Sequence, residues 1–251
     1  MAEVSTIRFG ILSAVTIAFS GSMATAQDSG VGKNLTLLGI DSATVAPQGL
    51  VFGSLSVTNR RDNTGDTSDG SAEVGFGLGN AETGIGLQFS VVASSLTDSF
   101  GDSGYFILKA SRQISGGQRP VYLGAMLDHI GGWGDANGTD VTGKLALTTF
   151  GQFQSASGES FPYMLTVGAG SHIRNAATDP GAYLGAGVGL SPTMGISAAW
   201  TGETVDIGAS FRPKGLQNVT LAATYNDVFD QEDSRRVTLS VTFALRDAFG
   251  R

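Results

Sequence analysis

The chain has 251 residues with 41% hydrophobic and only 15% charged side chains, 37 glycines, no cysteine and a net charge of −7. The absence of cysteine excludes a disulfide framework and thiolate chemistry. The acidic balance, with no basic run longer than the pairs Arg60-Arg61 and Arg235-Arg236, argues against nucleic acid as a partner.

At the N-terminus, Arg8 precedes the apolar run "FGILSAVTIAFSG", and "SMATAQ" then offers an Ala24-Thr25-Ala26 cleavage site. A charged n-region, a short h-region and an A-x-A site read as a secretory signal peptide over residues 1–26. The run is too short for a spanning helix, which needs about 20 residues. Residues 27–48, "QDSGVGKNLTLLGIDSATVAPQ", follow no clear period. A periplasmic tail, a plug in a lumen and an extra strand all remain open for them.

From residue 49 to 251 the pattern is strand after strand. Segments of period two recur between Gly, Asn, Asp and Ser clusters. They predict twelve strands over residues 50–60, 71–79, 83–94, 104–114, 120–129, 143–153, 161–170, 181–190, 193–200, 204–212, 217–225 and 235–245. One parity is bulky and apolar: Val74, Phe76 and Leu78; Leu184, Ala186 and Val188; Leu239, Val241 and Phe243. The other is small or polar: Gly75 and Gly77; Gly185, Gly187 and Gly189; Thr238, Ser240 and Thr242. A soluble sheet would charge its wet face, and this one leaves it nearly bare.

The connections alternate as well. Those after odd-numbered strands are mostly long and polar, as in "RDNTGDTSDG", "GGWGDANGTDVT" and "NDVFDQEDS"; "TGE" is the short exception. Those after even-numbered strands are mostly short, as in "NAE", "SP" and "PKGL", with "QSASGES" intermediate. Short turns on one rim and long loops on the other is the layout of outer-membrane barrels.

On these features the chain resembles bacterial outer-membrane β-barrel proteins, porin-like in outline. The likeness covers most of the mature chain, and the terminal segment "RRVTLSVTFAL" is similar to the last strand of that class. The expected fold is all-β: one closed antiparallel transmembrane barrel of about twelve strands. The resemblance implies a bacterial outer-membrane location, contact with outer-membrane lipid and lipopolysaccharide, and handling by the barrel assembly machinery. Aromatic residues near strand ends, Tyr163, Trp200, Phe211 and Tyr225, suit interfacial girdles.

The small parity then faces the lumen. Its pore-lining candidates are Glu73, Gly75, Gly77, Gln88, Lys109, Asp128, Lys144, Gly185, Gly187, Asp206, Arg212 and Arg236. The mixed charges among them suit either an eyelet that orients solutes or internal pairing that stabilises a closed barrel. The expected function is a passive channel for small polar solutes or ions. The alternative is a blocked barrel with a structural, adhesive or surface-recognition role carried by its loops.

No enzymatic chemistry is expected. The histidines are two, His129 and His172. Asp128 and His129 are adjacent, and adjacent strand residues point to opposite faces, so they form no base–orienter pair while both stay in strand. No G-x-S-x-G elbow and no H-E-x-x-H occur. "GFGLG" and "GAGVG" do not match a dinucleotide fingerprint. The loop carboxylates Asp62, Asp66 and Asp69 do not follow the EF-hand spacing. The sequence calls for no cofactor and no metal.

Overall fold

The computed structural model describes residues 33–60, 68–96 and 100–249. The signal-peptide segment and the loop carrying Asp62 and Asp66 lie outside the described residues.

Twelve antiparallel strands form the wall: β1 (Val51–Thr58), β2 (Asp69–Gly79), β3 (Gly86–Ala93), β4 (Gly104–Ser115), β5 (Val121–Trp133), β6 (Thr142–Gln154), β7 (Ser160–Arg174), β8 (Asp179–Gly189), β9 (Met194–Trp200), β10 (Val205–Phe211), β11 (Val219–Asn226) and β12 (Arg236–Leu245). Each pairs with its sequence neighbour, and β1 closes the ring on β12 in continuous register from Val51↔Leu245 to Thr58↔Thr238. Closure leaves no edge strand, so the ladder hydrogen bonds run unbroken round the ring except at local register shifts. Among the described residues no helix is long and apolar enough to cross a membrane, and spanning falls to the strands.

Burial runs opposite to that of a soluble protein. Leu145 is 61% and Val74 60% exposed, while Ser90 is 0% and Thr148 1% exposed. The bulky parity points outward on strand after strand, and the Ser, Thr and Gly parity points in. Such an exterior would be a severe aggregation liability in water and is what hydrocarbon accepts. Tyr163 and Phe211 sit toward the short-turn rim, Trp200 and Tyr225 toward the long-loop rim.

The ladder shifts register at several points between β4 and β5 and once between β7 and β8, and two local features bear on the site. Between Phe106↔Ile130 and Leu108↔Leu127, β5 advances three residues against two on β4, a β-bulge. Within it His129 takes φ 59°. The bulge turns the His129 ring back toward Asp128, with Nδ1 3.3 Å from Asp128 Oδ1. The expectation that these neighbours point apart is therefore corrected: strand alternation holds only where the ladder is unbroken. Second, β7 and β8 run beyond their expected ends, so only residues 175–178 of "SHIRNAATDP" connect them.

The facing makes a direct prediction. Leu87 is 40% exposed on the outer face, and its neighbour Gln88 is 5% exposed inside. Leu87 is the second residue of β3, toward the short-turn rim, so Leu87→Arg should cost less than the about 2–4 kcal/mol of a midplane charge and should still lower the yield of heat-modifiable barrel on gels. Gln88→Arg should insert normally and disturb only what lies within the lumen. Equal loss from both changes would refute the facing.

Candidate functional site: a lumen filled by the N-terminal segment

Twelve strands near 40° tilt enclose a lumen of about 12 Å backbone radius. Residues 33–50 occupy it. The segment starts at the short-turn rim, where the Lys33 ammonium lies 2.6 Å from Glu159 Oε1 and 3.5 Å from the Phe161 ring centre. The Asn34 amide donates to Ser191 O (2.7 Å), and its side chain donates to Ser210 Oγ (2.9 Å). The chain then rises along β8, β9 and β10, and the Leu38 amide donates to Ser197 Oγ at 3.1 Å. It turns near Asp41 and descends past β6 and β3. There the Ala43 amide donates to Thr148 Oγ1 and the Ala46 amide to Gln88 Oε1, each at 2.8 Å. Gly49 donates to Gly77 O (3.1 Å), and the chain enters β1. A buried irregular backbone needs partners for its amides. Here the wall supplies them with hydroxyl and amide side chains.

The glycine parity has its explanation in this segment. A Cβ on Gly187 would overlap the Thr36 carbonyl, and one on Gly77 would overlap the Ala46 and Pro47 carbonyls. These are close approaches of one backbone to another, which only a hydrogen atom admits. Elsewhere the inner wall also carries large side chains. Tyr122, Phe150, Met164 and Tyr183 pack with Leu37, Ile40 and Ala43, and Phe52 packs with Ala46 and Leu50.

Asp41, at the turn of the segment, is the electrostatic anchor. Lys109 Nζ lies 3.4 Å from Asp41 Oδ1, and Lys144 Nζ lies 3.0 Å from Asp41 Oδ2. Lys144 also reaches Asp128 Oδ2 at 3.5 Å. Lys109 is 3% exposed, and a buried charge is costly unless it is paired.

The candidate lining residues thus separate into groups. Gly77, Gln88, Gly185 and Gly187 touch the segment directly, and Gly75 lies under the Phe52 ring. Lys109, Lys144 and Asp128 belong to the ionic network, with Glu73 buried on β2. Asp206 is held near the long-loop rim by the Asn226 side chain (2.6 Å) and the Asp227 amide (3.0 Å). Arg212 follows the last residue of β10 at the short-turn rim, and Arg236 opens β12 at the other. Sequence reasoning missed Asp41. Its signal is a single carboxylate within the uncharged stretch "NLTLLGIDSATVAP".

The long-loop rim is also ordered locally. Asp227, fully buried, accepts from the amides of Gln231 (2.7 Å), Glu232 (3.1 Å) and Ser234 (3.1 Å), and from Ser234 Oγ. Burial alone would raise the pKa of its carboxyl, and these donors outweigh burial and hold it below the ordinary value.

No family model and no curated protein matches the chain. Among solved structures it is similar to the outer-membrane protein Omp33 of Acinetobacter baumannii, at 10% identity and a TM-score of 0.47, covering 79% of this chain and 98% of that one. It is also similar to an outer-membrane channel of Pseudomonas putida F1, at 14% identity and a TM-score of 0.46, covering 82% and 100%. A third is the attachment invasion locus protein Ail of Yersinia pestis, at 9% identity and a TM-score of 0.21, covering 79% and 99%. At these values the likeness is one of barrel outline. Closure, strand number and a lipid-type exterior, all features of the chain itself, make it a β-barrel of the bacterial outer-membrane kind whose lumen holds its own N-terminal segment.

Proposed function

We propose that the protein is an outer-membrane barrel closed by residues 33–50, with a structural or surface-recognition role carried by its long-loop rim. The observation that carries this reading is the backbone-on-backbone packing of Gly77 and Gly187 against the segment. A lumen designed for water would gain nothing from such contacts. The long loops then face outward, where lipopolysaccharide and surface partners are met, and the barrel assembly machinery recognises the last strand. The proposal includes no catalytic step and no cofactor.

A passive channel for small polar solutes or ions is the second reading. In its favour, the wall behind the segment carries Gln88, Lys109, Lys144, Thr148 and Ser197, polar groups that would hydrate if the segment left.

Planar-bilayer recording separates the two. The full-length mature barrel should be silent, and deletion of residues 33–48 should give steady conductance while heat modifiability is kept. Steady conductance by the full-length barrel would favour the channel and sink the closed reading.

A further inference from the structure

Above the turn of the lumen segment, a cavity of ≈ 170 Å³ opens toward the long-loop rim. Its wall includes Asp128, His129, Asp140, Thr142, Lys144 and His172. The chain has two histidines, and both are here, brought together from β5 and β7 across β6.

Each imidazole has its Nδ1 beside an oxygen of the preceding residue. His129 Nδ1 lies 3.3 Å from Asp128 Oδ1, and His172 Nδ1 lies 2.8 Å from Ser171 Oγ. The Asp128 carboxylate near Nδ1 of His129 favours a proton on that nitrogen, and Ser171 Oγ accepts from His172 in the tautomer protonated on Nδ1; in that form each Nε2 lone pair is left for a ligand. This is how metal-ligating histidines are usually oriented. The His129 ring is further fixed by stacking on Tyr105, with centroids 4.0 Å apart.

The charge of the cavity favours a cation. Asp128 and Asp140 face it, and the single ammonium, Lys144, already has the Asp41 carboxylate at 3.0 Å. Imidazole nitrogens select first-row transition dications over Mg²⁺ and Ca²⁺, which take oxygen ligands.

We propose that this cavity binds one first-row transition-metal dication through Nε2 of His129 and of His172. Among the described residues no three His, Asp or Glu side chains already stand in coordinating positions. The imidazoles are therefore the defining pair, and the exposed Asp140 carboxylate turns in to complete the shell with water. The site is independent of whether the lumen conducts.

The test uses untagged, refolded mature barrel in detergent, titrated with Co²⁺ and followed by its visible ligand-field absorption, with Zn²⁺ as competitor. One Co²⁺ per barrel should bind, Zn²⁺ should displace it, and Mg²⁺ should not. Cu²⁺ in the same site should show coupling to two nitrogens by electron paramagnetic resonance. His172→Ala and His129→Asn should each weaken binding by at least about tenfold, a loss that even outer-shell partners of a metal cause. Asn is chosen at 129 because it tolerates the left-handed backbone there. Both variants should remain heat-modifiable. Absence of saturable Co²⁺ binding, or binding undiminished in His172→Ala, overturns the proposal.

Discussion

Gly77→Val combined with Gly187→Val should expel residues 33–50 from the lumen while the wall stays folded. Both positions lie within paired strands, Gly77 opposite Gln88 and Gly187 opposite Met164 and Ser197. Those ladders use backbone groups alone, and valine is a good strand former. The new methyl groups point inward, where the Ala46, Pro47 and Thr36 carbonyls stand inside contact distance of a Cβ. Backbone cannot swing aside as a flexible side chain does. Overpacking costs about 1–3 kcal/mol at each site, and both costs fall on the same segment. Limited trypsin digestion reads the result, because the Lys33 backbone should become cleavable once the segment leaves the lumen. Bilayer recording should show new conductance in the same sample. A double variant in which the segment stays protected and no current flows would mean that the glycines are not there to admit it.

The barrel itself was legible because its two signals are local. Period-two alternation reports which way each side chain points, and the spacing of polar clusters reports which rim each turn occupies. Leu87 outside and Gln88 inside follow from that alone. The contents of the lumen were not legible in the same way. Gly77 and Gly187 satisfy an inner face lined by water and an inner face pressed against another backbone equally well. What decides between them is contact at long sequence range: Asp41 with Lys109 and Lys144, and Ala43 with Thr148. Alternation carries no information about such pairs. It also drew attention to the small residues of the inner parity and away from Tyr122, Phe150 and Tyr183, whose bulk fills the gaps that the segment leaves. The Asp128–His129 approach escaped for a third reason. A bulge in β5 inverts the facing of one residue, and it is defined by a register shift against β4 that periodicity along β5 alone does not report.

Asp41→Asn should loosen the lumen segment by removing the carboxylate that meets the buried Lys109 and the half-buried Lys144. Lys109, 3% exposed, would lose the carboxylate 3.4 Å from its ammonium, and Lys144 would keep only the 3.5 Å approach to Asp128. Breaking a buried ion pair from one side typically costs about 3–5 kcal/mol, since the charge left behind must be rehydrated or neutralised. The wall strands do not depend on Asp41, so the loss should appear as release of the segment before the barrel opens. Trypsin sensitivity at Lys33 should rise, and the temperature of heat modification should fall. A triple variant, Asp41→Asn with Lys109→Met and Lys144→Met, separates charge from shape. It removes all three charges and keeps most of the volume, and exchange of a buried ion triad for apolar side chains is often neutral or stabilising. Its segment should therefore be protected again. If Asp41→Asn alone is as protected as the unaltered barrel, the ionic network does not hold the segment, and its packing against Tyr122, Phe150 and Tyr183 suffices.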